Sequence, residues 1–183
     1  MFERLRAMFG GRAPAPTAAT APDPIPAVAP EAYAAFGEEE LLAWLQQRGP
    51  DDWHRSACSW NWDQDFAPLL WIIRQPECDA GTAITLFARG EPSYYAQFET
   101  MAALEAGAGY MMDTVRFLIE ICERWAAGQY QHYGFRPDAL PHLTPNSLPW
   151  PVPDSLAQAE AHGEELDFSG WTEGYPPEFF ERG

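Results

Sequence analysis

Apolar residues recur three and four positions apart through the middle of the chain, which places them on one face of successive helices. Val and Ile are scarce while Ala, Leu and Glu are common, and this composition favours helix over sheet. We therefore predict an all-α fold, a compact bundle or short stack of about five to six helices. The predicted helix bounds are Glu38–Gln47, Asp51–Ser59, Asp65–Arg74, Ala80–Arg89, Tyr94–Ala106 and Tyr110–Ala127, with a last short helix at Asp154–His162.

The stretch from Trp60 to Phe87 contains a helix, ending at Arg74, that is apolar most of the way round. Such a helix is predicted to lie at the centre of the domain. Asp63 or Asp65 can cap this helix, and Pro68 favours Asp65, because a proline at the third helical position loses no intrahelical hydrogen bond. Asp79 caps the next helix. The loop between the two helices is short, which predicts that they form an antiparallel hairpin.

Three regions follow from composition. Residues 1–30 combine a short amphipathic segment, Met1–Phe9, with a Pro/Ala-rich linker that is expected to be disordered. Residues 31–129 form the helical domain. Residues 130–183 form a Pro-rich aromatic arm and an acidic tail, and the Pro-rich part, residues 130–153, is predicted to lie extended over the domain.

The arm and tail combine acidic and aromatic residues. Asp138 to Gly183 contains nine acids and one Arg, a net charge of −8. Two interpretations stay open: a disordered segment that folds against a basic or apolar groove of a partner, or a tail packed on its own domain. Under the first, the candidate interaction surface consists of Trp150, Phe168, Trp171, Tyr175, Phe179 and Phe180.

The whole chain carries 11 cations and 27 acids, a net charge of −16. Such a surface repels nucleic acid and anionic lipid and favours docking to a basic protein, although solubility alone also explains it. Three cysteines without a CxxC pair predict a reduced, cytoplasmic protein rather than a disulfide framework. Membrane contact is expected only through Met1–Phe9, and the oligomeric state stays open.

Candidate chemistry is sparse. The sequence has no phosphate loop, nucleophile elbow, zinc-protease motif or nucleotide fingerprint, so no catalytic residue, metal ligand or cofactor is predicted. His54 and Cys58 share a helix face, which is half of a zinc site by spacing, but structural packing explains them better. His132 and His142 have no nucleophile near them in sequence. The enzyme alternative is a small enzyme with an aromatic pocket near Trp60, Trp62 and His54.

The segment WNWDQDF and the following PECDAGTA resemble a bacterial domain-of-unknown-function family, numbered 4274. In that family a Trp-Asn-Trp-Asp turn leads into one helix, and a Pro-x-Cys-Asp turn opens a second. The resemblance implies a helical fold and no established activity, so it supplies no catalytic residues. We interpret the motif residues as structural: Trp60, Trp62, Asp63, Asp65, Cys78, Asp79, Ala83 and Phe87.

Together these features predict a cytoplasmic, helical protein-binding protein without catalytic activity. One version is an immunity-type protein that masks a basic toxin surface, by analogy with other small acidic bacterial proteins. The alternatives are the enzyme with the aromatic pocket and a membrane-surface adaptor that works through Met1–Phe9.

Overall fold

The computed structural model describes residues 37–144 and 146–181. Within these residues the fold is all-α, as predicted, with no sheet and only two isolated bridges, Phe135 to Glu164 and Thr172 to Tyr175. The predicted helix at Met1–Phe9 and the linker lie outside the described residues. The α-helices are α1 Glu38–Leu45, α2 Pro50–Cys58, α3 Ala67–Arg74, α4 Ala80–Arg89, α5 Met101–Ala108, α6 Met112–Ala126 and α7 Asp154–Ala157; 3₁₀ turns span Pro92–Gln97, Gly109–Met111 and Pro177–Phe179.

Side-chain caps set the beginnings of the central helices. Asp65 Oδ1 accepts a hydrogen bond from the Ala67 N–H at 2.7 Å, and Asp79 Oδ1 accepts one from the Gly81 N–H at 2.8 Å. Both caps satisfy backbone donors that have no partner inside the helix. The helix begins one residue later than predicted, because the N-cap residue is Phe66 and not Asp65. The carboxylate that caps Ala67 is nevertheless that of Asp65, whereas the Asp63 side chain is exposed and makes no such contact.

One hydrophobic core joins the helices, and its side chains come from the predicted apolar faces. Complete burial of one Val, Leu, Ile or Phe side chain stabilises the fold by roughly 1.5–3 kcal/mol. The fully buried members include Leu41 and Leu45 of α1, Leu69, Ile72 and Ile73 of α3, Ala83, Ile84, Leu86 and Phe87 of α4, and Val115, Leu118 and Ile121 of α6.

The closest helix pairs are not consecutive in the chain. α2 packs against α4, and α1 packs against α3, whereas the predicted hairpin of α3 and α4 is not among the close pairs. The short loop before α4 thus turns the chain onto α2 instead of folding it back along α3.

The predicted helix Tyr94–Ala106 is wrong, because the chain breaks in its middle. A 3₁₀ turn ends at Gln97, Phe98 is extended (φ −102°, ψ 124°), and α5 begins only at Met101. Thr100 explains the new beginning, since its Oγ1 accepts a hydrogen bond from the Ala103 N–H at 3.1 Å. α5 then continues through Gly107, where the sequence had predicted its end.

The Pro-rich part of the arm, residues 130–153 in the prediction, runs extended over the domain, and the helix that follows it is shorter than the predicted Asp154–His162. α7 ends at Ala157, whose carbonyl accepts a hydrogen bond from the Leu143 N–H at 3.2 Å. The following residues extend towards Glu164, which exchanges backbone hydrogen bonds with Gly134 and Arg136, both at 2.7 Å. These bonds compete with the helix and end it.

Candidate functional site

The aromatic residues of the predicted interaction surface point into the protein. Trp150 is 5% exposed, and Tyr175 and Phe179 are each 3% exposed. Phe168, Trp171 and Phe180 are half-buried. The arm is therefore folded on its own domain, which is the second of the two interpretations left open by the sequence.

The far end of the arm is held on α1 by Trp44. The Trp44 ring lies edge-on to Trp171 at 5.7 Å and to Phe179 at 6.3 Å between ring centroids. The Glu178 carboxylate accepts hydrogen bonds from the Trp44 indole N–H and from Arg48 Nη2, the second at 2.9 Å. The Arg48 guanidinium also lies 4.4 Å above the Trp44 ring. Ring contacts with Trp44, together with the hydrogen bonds of Glu178, therefore anchor this end of the arm on α1. The Arg48 guanidinium adds a cation–π contact with the same Trp44 ring.

Trp60, a motif residue, is covered by the same arm. Trp60 is 3% exposed, and Gly174 lies so close that a Cβ there would be 2.4 Å from Cε3 of the indole. The Ser56 hydroxyl donates a hydrogen bond to the Gly174 carbonyl at 2.9 Å. Gly174 has φ +88°, which favours glycine in any case. Trp62 is half-buried between Phe66 and Phe117.

A polar cluster is buried between α2 and α4, beneath the first part of the arm. His54 is 2% exposed; its Nδ1 lies 2.9 Å from Thr82 Oγ1, and its Nε2 lies 3.4 Å from Cys58 Sγ. The ring of Phe135 covers the imidazole with 5.3 Å between ring centroids. The shared helix face predicted for His54 and Cys58 is confirmed, and the arm closes it.

Burial controls the protonation of this cluster. Burial lowers the pKa of His54, although the nearby Asp79 carboxylate acts in the opposite direction. Burial raises the pKa of the Cys58 thiol to about 12, so the thiol stays protonated near neutral pH. A neutral histidine beside a protonated thiol is suited to packing and hydrogen bonding rather than to nucleophilic attack.

Asp79 joins the N-terminus of α4 to the arm. Beyond its cap on Gly81, its Oδ2 accepts a hydrogen bond from the Gly134 N–H at 2.6 Å, and its Oδ1 accepts one from the Phe135 N–H at 3.3 Å. The Ala80 N–H donates to the His132 carbonyl at 2.6 Å. Asp79 is 3% exposed, and these donors compensate for its burial.

Further along α4, a polar stripe continues this attachment. The Thr85 hydroxyl accepts a hydrogen bond from the Asp138 N–H at 3.0 Å. The Asp138 carboxylate pairs with Arg89, with 2.7 Å between Oδ2 and Nε. The sequence reasoning missed Thr85 and Arg89 as arm contacts and Thr82 as the partner of His54. Their spacing of three and four residues after Asp79 is the signal that marks one helix face.

The remaining motif residues divide between core and surface. Cys78, Ala83 and Phe87 are buried in the core, in agreement with their structural interpretation. Cys58, Cys78 and Cys122 are all unpaired and buried. Within the described ranges no group of three or more His, Cys, Asp or Glu side chains is arranged to hold a metal ion.

The arm's carboxylates face outward while its aromatic rings face inward. Glu160, Glu164, Glu165 and Asp167 are exposed within eight residues, and among the described residues no cation forms an ion pair with them. The Asp167 pKa is lowered by hydrogen bonds from Ser169, which keeps this carboxylate ionised. The arm therefore gives the folded protein an acidic outer face.

The Trp-Asn-Trp-Asp turn connects α2 to α3, and the Pro-x-Cys-Asp turn connects α3 to α4. Residues 48–126 match a family model described as Domain of unknown function (DUF4274). The match confirms the resemblance predicted from the sequence, and it covers less than half of the chain. The C-terminal arm lies outside the DUF4274 region, although it closes the polar cluster of that region.

The other comparisons add no relative. No curated protein and no solved structure matches the chain. Among the residues that the structure describes, no helix is long and apolar enough to cross a membrane.

Proposed function

We propose that this protein is a non-catalytic protein-binding protein whose partner presents a basic surface. The observation that carries the proposal is the division of the arm into inward aromatic rings and outward carboxylates. Together with a net charge of −16, this division leaves a folded acidic face available to a partner. Complementary charge accelerates association and selects against partners of the same sign.

One concrete form of this function is an immunity-type protein that covers a basic toxin surface. A folded acidic face supports this form, because a surface that is already ordered loses less conformational entropy on binding. We also propose the cytoplasm as its compartment. Three buried, unpaired cysteines support a reducing compartment.

The enzyme alternative, with a pocket near Trp60, Trp62 and His54, has less support. Trp60 and His54 are covered by the arm, and the raised pKa of Cys58 leaves the neighbouring thiol unactivated. The membrane-adaptor alternative depends on Met1–Phe9, outside the described residues. The protein-binding function is therefore the one that the geometry favours.

Affinity purification of the tagged full-length chain from its source cells tests the proposal. We expect a stoichiometric partner with a basic isoelectric point at about 0.05 M salt and much less of it at about 0.5 M, because salt screens exposed charges. Recovery of no stoichiometric partner at low salt would sink the proposal. A small-molecule turnover by the purified chain would favour the enzyme instead.

A further inference from the structure

Two large hydrophobic side chains stay exposed in the described part of the chain, and they are neighbours. Tyr94 is 40% exposed and Tyr110 is 83% exposed. The neighbouring Tyr94 side chain raises the pKa of Tyr110. The other large aromatic rings of the described chain are buried or half-buried, so this exposed pair requires a separate explanation.

Further aromatic and small residues lie near the pair, in and just before α5. The Phe98 ring lies 6.4 Å from Tyr94 between centroids, and a Cβ on Gly107 would meet Phe98 Cε1 at 2.9 Å. Ala103 lies one helical turn before Gly107 and is also exposed. We call Tyr94, Phe98, Ala103, Gly107 and Tyr110 the tyrosine patch.

The chain around the tyrosine patch carries only negative charge. From Gly90 to Thr114 there are four acids, Glu91, Glu99, Glu105 and Asp113, and no Arg or Lys. All four acids are exposed. The two cations that flank this stretch are both paired: Arg89 with Asp138, at 2.7 Å between Nε and Oδ2, and Arg116 with Asp113, at 2.9 Å between Nη1 and Oδ1. An aromatic surface in an acidic stretch repels anionic ligands and attracts cationic ones.

We propose that the tyrosine patch is the docking surface for an Arg- or Lys-rich segment with interspersed apolar residues, supplied by a partner protein. This inference rests on the proposed protein-binding function and adds the place and the chemistry of contact. The faces of Tyr94 and Tyr110 receive guanidinium or ammonium groups through cation–π contact. The small, exposed Ala103 lets an apolar side chain of the segment approach α5, next to the Phe98 ring that covers Gly107.

The composition of the tyrosine patch is that of an interface centre. Tyrosine is enriched at protein interfaces and among the residues that contribute most to binding, because it combines a large rigid ring with a hydroxyl group. The rings of the predicted surface, Trp150, Tyr175 and Phe179, are already used inside the fold. The patch thus replaces them as the aromatic contact surface.

A peptide titration of the full-length chain tests the inference. The probe is a synthetic peptide that alternates pairs of arginine and leucine, and its control has each arginine replaced by glutamate. Backbone amide shifts are followed by NMR. We expect the arginine peptide to shift the signals of Tyr94, Phe98, Gly107 and Tyr110, and the glutamate peptide to leave them unchanged.

Variants of the chain separate the tyrosine patch from general acidity. The double variant Tyr94→Ser, Tyr110→Ser is expected to bind the arginine peptide about tenfold more weakly, as loss of two cation–π contacts implies. The charge control is the double variant Glu164→Gln, Glu165→Gln. It should keep the pattern of shifted signals, and its affinity for the arginine peptide should fall less than threefold. If the double variant fails to fold, Tyr110→Ser alone replaces it, since this side chain is almost fully exposed.

Each result decides for or against the docking surface. Shifts concentrated on residues 158–167, or equal weakening in the tyrosine and glutamate variants, would overturn it in favour of the acidic arm. Absence of any shift would overturn it too. If a partner recovered from cells binds the double variant with undiminished affinity, the docking surface is refuted and the proposed function stands. If no partner is recovered, the proposed function itself fails.

Discussion

Gly81 is the residue where helix α4 and the arm come closest. A Cβ at this position would lie 2.0 Å from the carbonyl oxygen of Phe135 and 2.9 Å from its carbonyl carbon. Both are backbone atoms, and the Asp79 hydrogen bonds hold them in place. A side chain at Gly81 would therefore push the arm away from the helix.

Gly81→Ala tests this contact. Alanine favours a helix by about 1 kcal/mol over glycine, but the clash is expected to outweigh this and lower the free energy of unfolding by about 1–3 kcal/mol. Urea denaturation measures the change. Gly109→Ala is the matched control, since no atom lies within 4 Å of its Cβ position; an equal loss in both variants would contradict the account.

Asp79→Ala removes one cap and two arm contacts together. Loss of a helix cap costs about 1 kcal/mol, and leaving buried N–H groups without a partner adds about 1–3 kcal/mol. We expect a total loss of about 2–4 kcal/mol in the free energy of unfolding. Asp63→Ala, at an exposed position of the same motif, should change it by less than about 0.5 kcal/mol. Similar losses in the two variants would refute the role of Asp79.

His54 makes stability depend on pH. Because burial lowers its pKa in the folded protein, the unfolded chain binds the proton more readily, and stability is lost as pH falls below about 6.5 towards the folded pKa. Below the folded pKa this loss is complete and constant. In His54→Asn the decline of unfolding free energy between about pH 7 and pH 5 should be shallower than in the parent chain. The exposed His142→Asn is the control, and an unchanged slope in His54→Asn would contradict this argument.

Residue roles could be read from the sequence where they depend on neighbours in the chain. The caps Asp65 and Asp79 follow from local spacing, and so does the pairing of Glu120 with Arg124, observed at 3.0 Å. Arg116 has the same spacing from Glu120, but it pairs with Asp113, and the Glu120 carboxylate also pairs with Arg74 from α3 at 2.7 Å. Partners from distant parts of the chain leave no such local signal.

At the scale of elements, helix existence was predictable and helix pairing was not. The bounds of α1, α2, α3 and α4 agree with the periodic pattern to within two residues, whereas Thr100 begins a helix inside a segment that looked continuous. Periodicity identifies an apolar face but does not specify which neighbour covers it. The packing of α2 on α4 includes the contact between His54 and Thr82, which are 28 residues apart, and such a contact leaves no local signal in the sequence.

Hydrogen exchange tests whether the arm and α4 form one element. Gly134 and Phe135 donate to Asp79, and Asp138 donates to Thr85, so these amides are expected to be protected. In Asp79→Ala their exchange should accelerate about tenfold or more, since a loss of 1.4 kcal/mol corresponds to a factor of ten. The amides of Leu118 and Ile121 in α6 should change much less. Uniform acceleration across the chain would show global unfolding instead of local release of the arm.

For the whole molecule, the outcome is a core rich in aromatic rings inside an acidic exterior. The sequence predicted the acidity and the all-α fold, because both follow from composition and periodicity. It left open whether the arm packs on its own domain, since the six aromatic residues fit a partner's groove as well as their own core. The contacts of Trp44 with Trp171 and of Trp60 with Gly174 could be seen only in the folded chain.

The association rate of the full-length chain with its purified partner, measured by stopped flow at two salt concentrations, tests the protein-binding function most directly. If an acidic face attracts a basic partner, the rate constant should fall at least tenfold between about 0.02 M and 0.5 M salt. The dissociation rate should change much less, because short contacts at the interface are screened weakly. An association rate that is equal at both salt concentrations would contradict the account.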